Sequence, residues 1–320
     1  MALGAASPIP SRISAKSHAK ISEVAMRRAG PAALRALLRK PGIHLMPCAH
    51  DALSARLIQE AGFPLAFVSG FATSAAHGLP DTGLMCYAEM LGTMRSVAEQ
   101  LSIPVIGDGD TGYGNPLNAK RTVAGYARAG LAGIMIEDQL APKRCGHTRD
   151  KRVVGRAEAV ARVRAAVDAA KEGDDILIMA RTDARATDGL HEAIDRCAAF
   201  ADAGADITFL EAPRSADEMR EYCAAVPGPK MANLLAGGLT PVLPPAELEQ
   251  IGYAIAAYPL DLLNASIVAM RAALAGLKDG GRPPAHLALP FDELQTVVGF
   301  DAYYAEEARY RTDDADAPAR

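Results

Sequence analysis

The chain has 320 residues, half of them apolar and only 5% aromatic, with a formal charge of −4. That length carries a full core in one large domain, and the charge leaves no basic surface for nucleic acid. No run approaches the ~18 consecutive apolar residues of a membrane-spanning helix. The five cysteines (Cys48, Cys86, Cys145, Cys197 and Cys223) lack the number and spacing of a disulfide framework or zinc site, which points to a reducing compartment, the cytoplasm first.

The first stretch, Met1 to Lys20, is basic, Ser/Ala-rich and free of acids. It reads as a flexible start, with a faint look of an organellar transit peptide and no secretory core. Residues 1–30 are therefore expected to be a flexible segment with a first helix. Beyond them, short apolar runs alternate with longer Ala-rich amphipathic segments. The predicted strands are His44–Pro47, Ala66–Ser69, Val105–Asp108, Gly133–Glu137, Ile176–Arg181, Ile207–Glu211, Lys230–Asn233 and Ala254–Tyr258. Between them the pattern predicts helices at Ser54–Glu60, Tyr87–Gln100, Ala119–Ala129, Arg156–Lys171, Gly189–Ala203, Ala216–Cys223 and Pro245–Ile251. Ala-Gly pairs at 61–62, 129–130 and 203–204 fall where a left-handed glycine would end a helix. After the eighth strand come helices at Asn264–Leu277 and Phe291–Val298, an aromatic, charged stretch to Tyr310, and a polar tail from 311 to 320, expected to be disordered.

This βαβα rhythm implies parallel strands with crossover helices. Eight such units predict an α/β fold, a (β/α)8 TIM barrel filling residues 31–310 with a C-terminal helical extension. In such a barrel, polar residues at strand C-termini read as catalytic. A doubly wound sheet is the alternative, but no phosphate-binding glycine loop follows the first strand. The expected strand ends carry Ser69, Asp108, Glu137, Arg181, Glu211 and Asn233.

Acids crowd two of these ends: Gly107-Asp108-Gly109-Asp110 and Glu137-Asp138-Gln139. Carboxylates beside buried strands cost several kcal/mol unless they are paired. Such a cluster suits a divalent cation, which takes hard oxygen ligands. Lys143-Arg144-Cys145-Gly146-His147 follows closely. Neighbouring cations make a thiol a more capable proton donor near neutrality.

Taken together, these motifs resemble the isocitrate lyase/phosphoenolpyruvate mutase superfamily over nearly the whole chain. The matches are Ser69-Gly70, Gly78-Leu79-Pro80-Asp81, Asp108-Gly109-Asp110 with Tyr113-Gly114, Glu137-Asp138-Gln139, Pro142 to His147, Ala180-Arg181-Thr182-Asp183 and Met231-Ala232-Asn233. Gly146-His147-Thr148-Arg149 and Val298-Gly299-Phe300-Asp301 with Tyr303-Tyr304 resemble plant petal-death-type lyases, also called carboxyvinyl-carboxyphosphonate phosphorylmutases. These cleave 2-alkylmalates and related 2-hydroxy dicarboxylates.

The resemblance implies a Mg2+-dependent carbon–carbon lyase (Mn2+ an alternative metal), a homotetramer built as a dimer of dimers, and a helix swapped between subunits. It implies that Asp108 binds the metal, with Asp81, Asp110 and Glu137 holding its waters. Cys145 would be the catalytic acid, with His147 orienting its loop or a substrate carboxylate. Arg181 would fork a substrate carboxylate, or else pair structurally with Asp183. Ser69 and Gly70 would donate backbone N–H groups to the 2-oxo acid. Phe71, Lys143, Gly146, Glu211 and Asn233 would complete the site. Two departures narrow the substrate. Asn264 replaces an arginine that methylisocitrate lyases use for an extra carboxylate, and Phe67 stands where lyases often carry tyrosine. Oxaloacetate hydrolysis is the first alternative, although fungal hydrolases of this type favour serine near the position of Thr240. Methylisocitrate cleavage, oxaloacetate decarboxylation, phosphonate mutase chemistry and a non-catalytic oxo-acid binder are the others.

Overall fold

The computed structural model describes residues 29–146, 150–278 and 281–311. The expectations for Met1–Lys20, His147 and the tail from 312 lie outside the described residues. The described chain forms two compact units that divide after Asn264.

The first unit contains eight parallel strands: β1 His44–Ala49, β2 Ala66–Val68, β3 Val105–Asp108, β4 Gly133–Glu137, β5 Leu177–Thr182, β6 Ile207–Leu210, β7 Met231–Asn233 and β8 Ile255–Tyr258. Their order is β6-β5-β4-β3-β2-β1-β8-β7. A parallel bridge between Thr208 and Lys230 brings β6 beside β7, and Thr208 N–H donates to Pro229 O at 3.1 Å. The sheet thus curls into a nearly closed (β/α)8 barrel, as the strand count predicts. Met46, Cys48, Phe67, Ile106, Met135, Met179, Phe209, Met231 and Ala257 pack into one buried cluster. Strand neighbours such as Ala66, Val68, Ile134 and Ile136 belong to another, shared with helices. This is the two-residue alternation of a strand with both faces buried.

The helices are α1 Pro31–Leu38, α2 Ala52–Glu60, α3 Gly70–Ala76, α4 Tyr87–Ala98, α5 Pro116–Ala129, α6 Arg156–Glu172, α7 Ala184–Thr187, α8 Leu190–Asp202, α9 Ala216–Ala225, α10 Pro245–Ile251 and α11 Asp261–Lys278. Two start earlier than their apolar periodicity predicts, for local reasons. Asp51 and Ser54 form a capping box that begins α2 at Ala52. Asn115 caps α5, and Pro116 fits its first position. Gly62, Gly130 and Gly204 all adopt positive φ, as the Ala-Gly pairs predict. The short helices α3 and α7 were not expected, because neither is long enough to display a helical period.

The second unit runs from Ala265. It holds the rest of α11, a 3-10 turn at Ala285–Leu287, α12 Phe291–Val298 and α13 Phe300–Ala308. Neither α12 nor α13 buries a side chain. Phe291 is 74% exposed, and Val268, Leu274 and Tyr303 are exposed as well.

One buried contact ties a helix to the end of β3. Tyr126 of α5 is fully buried, and its hydroxyl donates to Asp108 O at 2.8 Å. Tyr126→Phe removes that hydrogen bond and the hydroxyl's contact with Tyr113, so it is expected to lower stability by about 1–2 kcal/mol. Urea unfolding with an unchanged slope would establish this.

Candidate active site

The strand C-termini open into a pocket with about 590 Å³ of empty space, open solvent at its mouth included. Its polar wall begins at β3. The Asp108 carboxylate accepts the Gly70 N–H through Oδ2 at 3.0 Å and the Asp110 N–H through Oδ1 at 3.0 Å. Burial, reinforced by Asp110, pushes the Asp108 pKa up to about 6. Gly70 must lack a side chain, because a Cβ there would lie 2.6 Å from Asp108 Oδ2. Asp110 has a φ of 48°, and its Oδ2 accepts the Tyr113 hydroxyl at 3.0 Å.

Lys143 reaches into this group. Its Nζ lies 2.5 Å from Asp81 Oδ1 and 2.7 Å from Asp110 Oδ1. Burial acts to lower the lysine pKa, but Asp110, Asp108 and Asp81 outweigh it and hold it well above the usual value.

A second charged group spans β4 to β7. Arg181 Nε lies 3.2 Å from Glu137 Oε2 and 2.9 Å from Asp183 Oδ2, and its Nη2 lies 3.2 Å from Glu211 Oε2. Its guanidinium also sits over the Phe209 ring, 5.3 Å from the centroid. Asn233 Nδ2 donates to Glu211 Oε2 at 3.2 Å. Burial pushes the Glu137 carboxyl well up. Burial acts the same way on Asp183, but Arg181 and Lys151 outweigh it and hold that carboxyl well below the carboxylate range. Arg181 pairs with Asp183 and also lines the pocket.

Cys145 and Gly146 complete the mouth. A Cβ on Gly146 would strike Arg181 and lie 2.7 Å from the Glu211 carboxyl, so only glycine lets this backbone approach. Ser69, Phe71, Asp81, Asp108, Lys143, Cys145, Gly146, Arg181, Glu211 and Asn233 all line the pocket. Gly70, Asp110 and Glu137 lie behind that lining, in contact with it.

Both amides expected to meet the substrate have partners within the chain: Ser69 N–H donates to Ala49 O at 3.2 Å, continuing the β1–β2 ladder, and Gly70 N–H donates to Asp108 Oδ2 at the start of α3. The sequence reading singled out Phe67 but missed the rest of the apolar wall. Cys48, Phe67, Met135, Phe209, Met231, Leu235, Pro259 and Leu260 face the same pocket. Strand alternation signals the inward direction of several of them, but not their depth.

A fully parallel barrel with acids, cations and a thiol at its C-terminal mouth has the architecture of a barrel enzyme acting on a small anionic molecule. The model of the family described as Phosphoenolpyruvate phosphomutase matches residues 34–278, and the chain belongs to this family within the isocitrate lyase/phosphoenolpyruvate mutase superfamily. It is 43% identical over 281 residues to carboxyvinyl-carboxyphosphonate phosphorylmutase, chloroplastic, of Arabidopsis thaliana, covering 86% of this chain and 83% of the relative. It is 39% identical to 2,3-dimethylmalate lyase of Eubacterium barkeri, covering 88% of this chain and 98% of the relative. A crystal structure of 2,3-dimethylmalate lyase superposes with a TM-score of 0.85 at 35% identity, covering 92% and 99% of the two chains. Oxaloacetate acetylhydrolase with 3,3-difluorooxalacetate gives 0.84 at 33% identity, covering 89% and 98%. Phosphonopyruvate hydrolase, crystallised with oxalate and Mg2+, gives 0.78 at 30% identity, covering 88% and 98%.

Among the described residues, no group of three or more His, Cys, Asp or Glu side chains converges as a ready-made metal cage. The donor set nevertheless suits a hydrated hard cation. Asp81, Asp108, Asp110, Glu137, Asp183 and Glu211 outnumber Lys143, Lys151 and Arg181. Buried Glu137 Oε1 has no hydrogen-bond partner among the described residues. Mg2+ commonly takes one or two carboxylates and keeps several waters, so it needs no all-protein cage.

Proposed function

We propose that this protein is a Mg2+-dependent carbon–carbon lyase that cleaves a 2-hydroxy dicarboxylate of the 2-alkylmalate type into a 2-oxo acid and a carboxylic acid. The observation that carries this reading is the pocket lining, which gathers Cys145, Asp108, Arg181, Glu211 and Asn233 at one barrel mouth, with room only for glycine at 146 beside Arg181 and Glu211. Asp108 would hold Mg2+, or Mn2+, directly, with Asp81, Asp110 and Glu137 on its waters. When bound, the metal supplies positive charge to the 2-hydroxy acid end of the substrate.

The chain's own groups supply the rest. Arg181, held by Glu137, Asp183 and Glu211 on its own side, presents its guanidinium to a substrate carboxylate. Asn233 and Glu211 form the adjoining wall. In the cleavage, the 2-hydroxyl passes its proton to water and becomes the carbonyl of the 2-oxo acid. The C2–C3 bond breaks, and its electron pair stays on C3 of the departing acid. The Cys145 S–H then protonates that carbon, and the Cys145 thiolate left at the end of the cycle takes a proton back from water. His147 is assigned to orienting this loop or a carboxylate. Lys143 holds Asp81 and Asp110 in place.

The apolar wall supports an alkyl-substituted substrate. Leu235, Pro259 and Leu260 offer surface for methyl or ethyl groups and no charge for a third carboxylate. Asn264 is exposed and absent from the lining, which disfavours a tricarboxylate. The exposed apolar side chains of α11 to α13 support the further proposal of subunit contacts in a homotetramer with a swapped C-terminal helix. We assign the protein to the cytoplasm or an organelle; no described helix is long and apolar enough to cross a membrane.

The test is a coupled assay with Mg2+ on 2,3-dimethylmalate, 2-ethyl-3-methylmalate, 2-methylisocitrate and oxaloacetate, following 2-oxo acid and oxalate. Selective cleavage of an alkylmalate is expected. Oxalate from oxaloacetate, with the alkylmalates untouched, would replace the lyase by a hydrolase.

A further inference from the structure

The backbone at the base of the Cys145 loop is fixed. Leu140 N–H donates to Arg152 O at 2.8 Å, and Val154 N–H donates to Asp138 O at 2.9 Å. Gln139 faces Val153 across an antiparallel bridge. Arg162 of α6, only 4% exposed, donates through Nη1 to Glu137 O at 2.8 Å and to Gln139 O at 3.1 Å. The Gln139 side chain therefore starts from a fixed point.

That side chain is 1% exposed and lies along the backbone of Arg144. Its Nε2 donates to Arg144 O at 2.8 Å, and its Oε1 accepts the Arg144 N–H at 2.9 Å. One amide thus fixes the peptide groups on both sides of Arg144, the second of which leads into Cys145. Beyond the thiol, Lys151 Nζ donates to Gly146 O. The same ammonium lies 2.8 Å from Asp183 Oδ1, with both side chains buried. Asp183 in turn holds Arg181. Moving this backbone would leave a buried amide and a buried ammonium short of partners, which is costly.

We infer that Gln139 and Lys151 are positioning residues for Cys145, gripping the backbone on either side of it and tying it to the carboxylate that orients Arg181. The inference rests on the reading of Cys145 as proton donor. A proton donor misplaced by about 1 Å loses on the order of 10²-fold in rate.

The test combines kinetics with iodoacetamide labelling of the folded protein, read by peptide mass spectrometry at each cysteine. Exposed Cys86 reports the reagent, and buried Cys197 reports general loosening. In Gln139→Met, labelling of Cys145 is expected to quicken about tenfold while Cys197 stays protected, as in local opening. The kcat should fall about 10²-fold with KM little changed. Gln139→Glu, which keeps the acceptor and loses the donor, should lie between. Lys151→Met should act in the same direction as Gln139→Met. Unchanged Cys145 labelling, unchanged kcat, or Cys197 becoming reactive in step with Cys145 would each overturn the inference. Full activity in Cys145→Ala would instead overturn the proton-donor reading itself, whatever the labelling gives.

Discussion

Replacing Cys145 with alanine is expected to lower turnover by about 10²–10⁴-fold, the range that general acid catalysis supplies. The change removes one sulfur and leaves the backbone grips of Gln139 on Arg144 and of Lys151 on Gly146. Arg181, Glu211 and Asn233 are untouched, so KM should stay near the wild-type value. Divalent-cation binding should also survive, because the acids of the proposed metal site are unaltered. Calorimetric Mg2+ titration beside steady-state kinetics separates these effects. Normal turnover in the variant would remove the thiol from the reaction, and loss of metal binding would show that the substitution had disturbed more than the acid. Cys145→Ser keeps an O–H of much lower acidity and should recover little of the rate.

The barrel was legible because its strands are short apolar runs and several of them, β3, β4, β5 and β7 included, end in a polar residue. Asp108 and Glu137 end β3 and β4 as expected. Ser69 shows where that reasoning stops. It was read as the end of β2, yet it caps α3, and its amide is spent on the ladder. A serine after a strand can serve either role, and only the next helix decides. The acids and Cys145 were found because their residue types are rare at such places. Of the supporting cations, Lys143 was named and the others were not. Arg162 and Arg196 sit on helices, where charge usually means solvent, but both are 4% exposed. A signal was present all the same. Arg162 lies between Ala159, Val163 and Ala166 on the inward face of α6, and Arg196 lies between Ala193, Cys197 and Phe200 on α8. A cation on the apolar stripe of a barrel helix points to a buried acceptor: the carbonyls of Glu137 and Gln139 for Arg162, and the Asp138 carboxylate for Arg196. Lys151 carried no such signal, since its partner Asp183 is far away in sequence.

Arg181→Met is the second substitution expected to have a large effect, and it should act on stability and activity together. Arg181 is the shared counterion of Glu137, Asp183 and Glu211, all of them at most 2% exposed. Removing one partner of a buried ion pair typically costs about 3–5 kcal/mol, because the other charge stays buried. Lys151 still faces Asp183, and Asn233 still donates to Glu211, so Glu137 is left worst placed. The pH dependence identifies the cause. Burial already pushes the Glu137 carboxyl up, and loss of the guanidinium drives it higher. A carboxyl whose folded pKa exceeds its unfolded value binds its proton more tightly in the folded state, so stability falls as pH rises through that range. The deficit of the variant should therefore grow as pH rises and shrink as pH falls, as the stranded acids take up protons. Urea unfolding of both proteins across that range would measure it. A deficit independent of pH would point to lost packing on Phe209 instead. Arg181→Lys keeps the charge and loses the fork, so it should restore most of the stability. It should still lose about 10²-fold in kcat/KM, because an ammonium cannot grip a substrate carboxylate in two places. That split between recovered stability and unrecovered turnover would separate the role of Arg181 as counterion from its role in holding substrate.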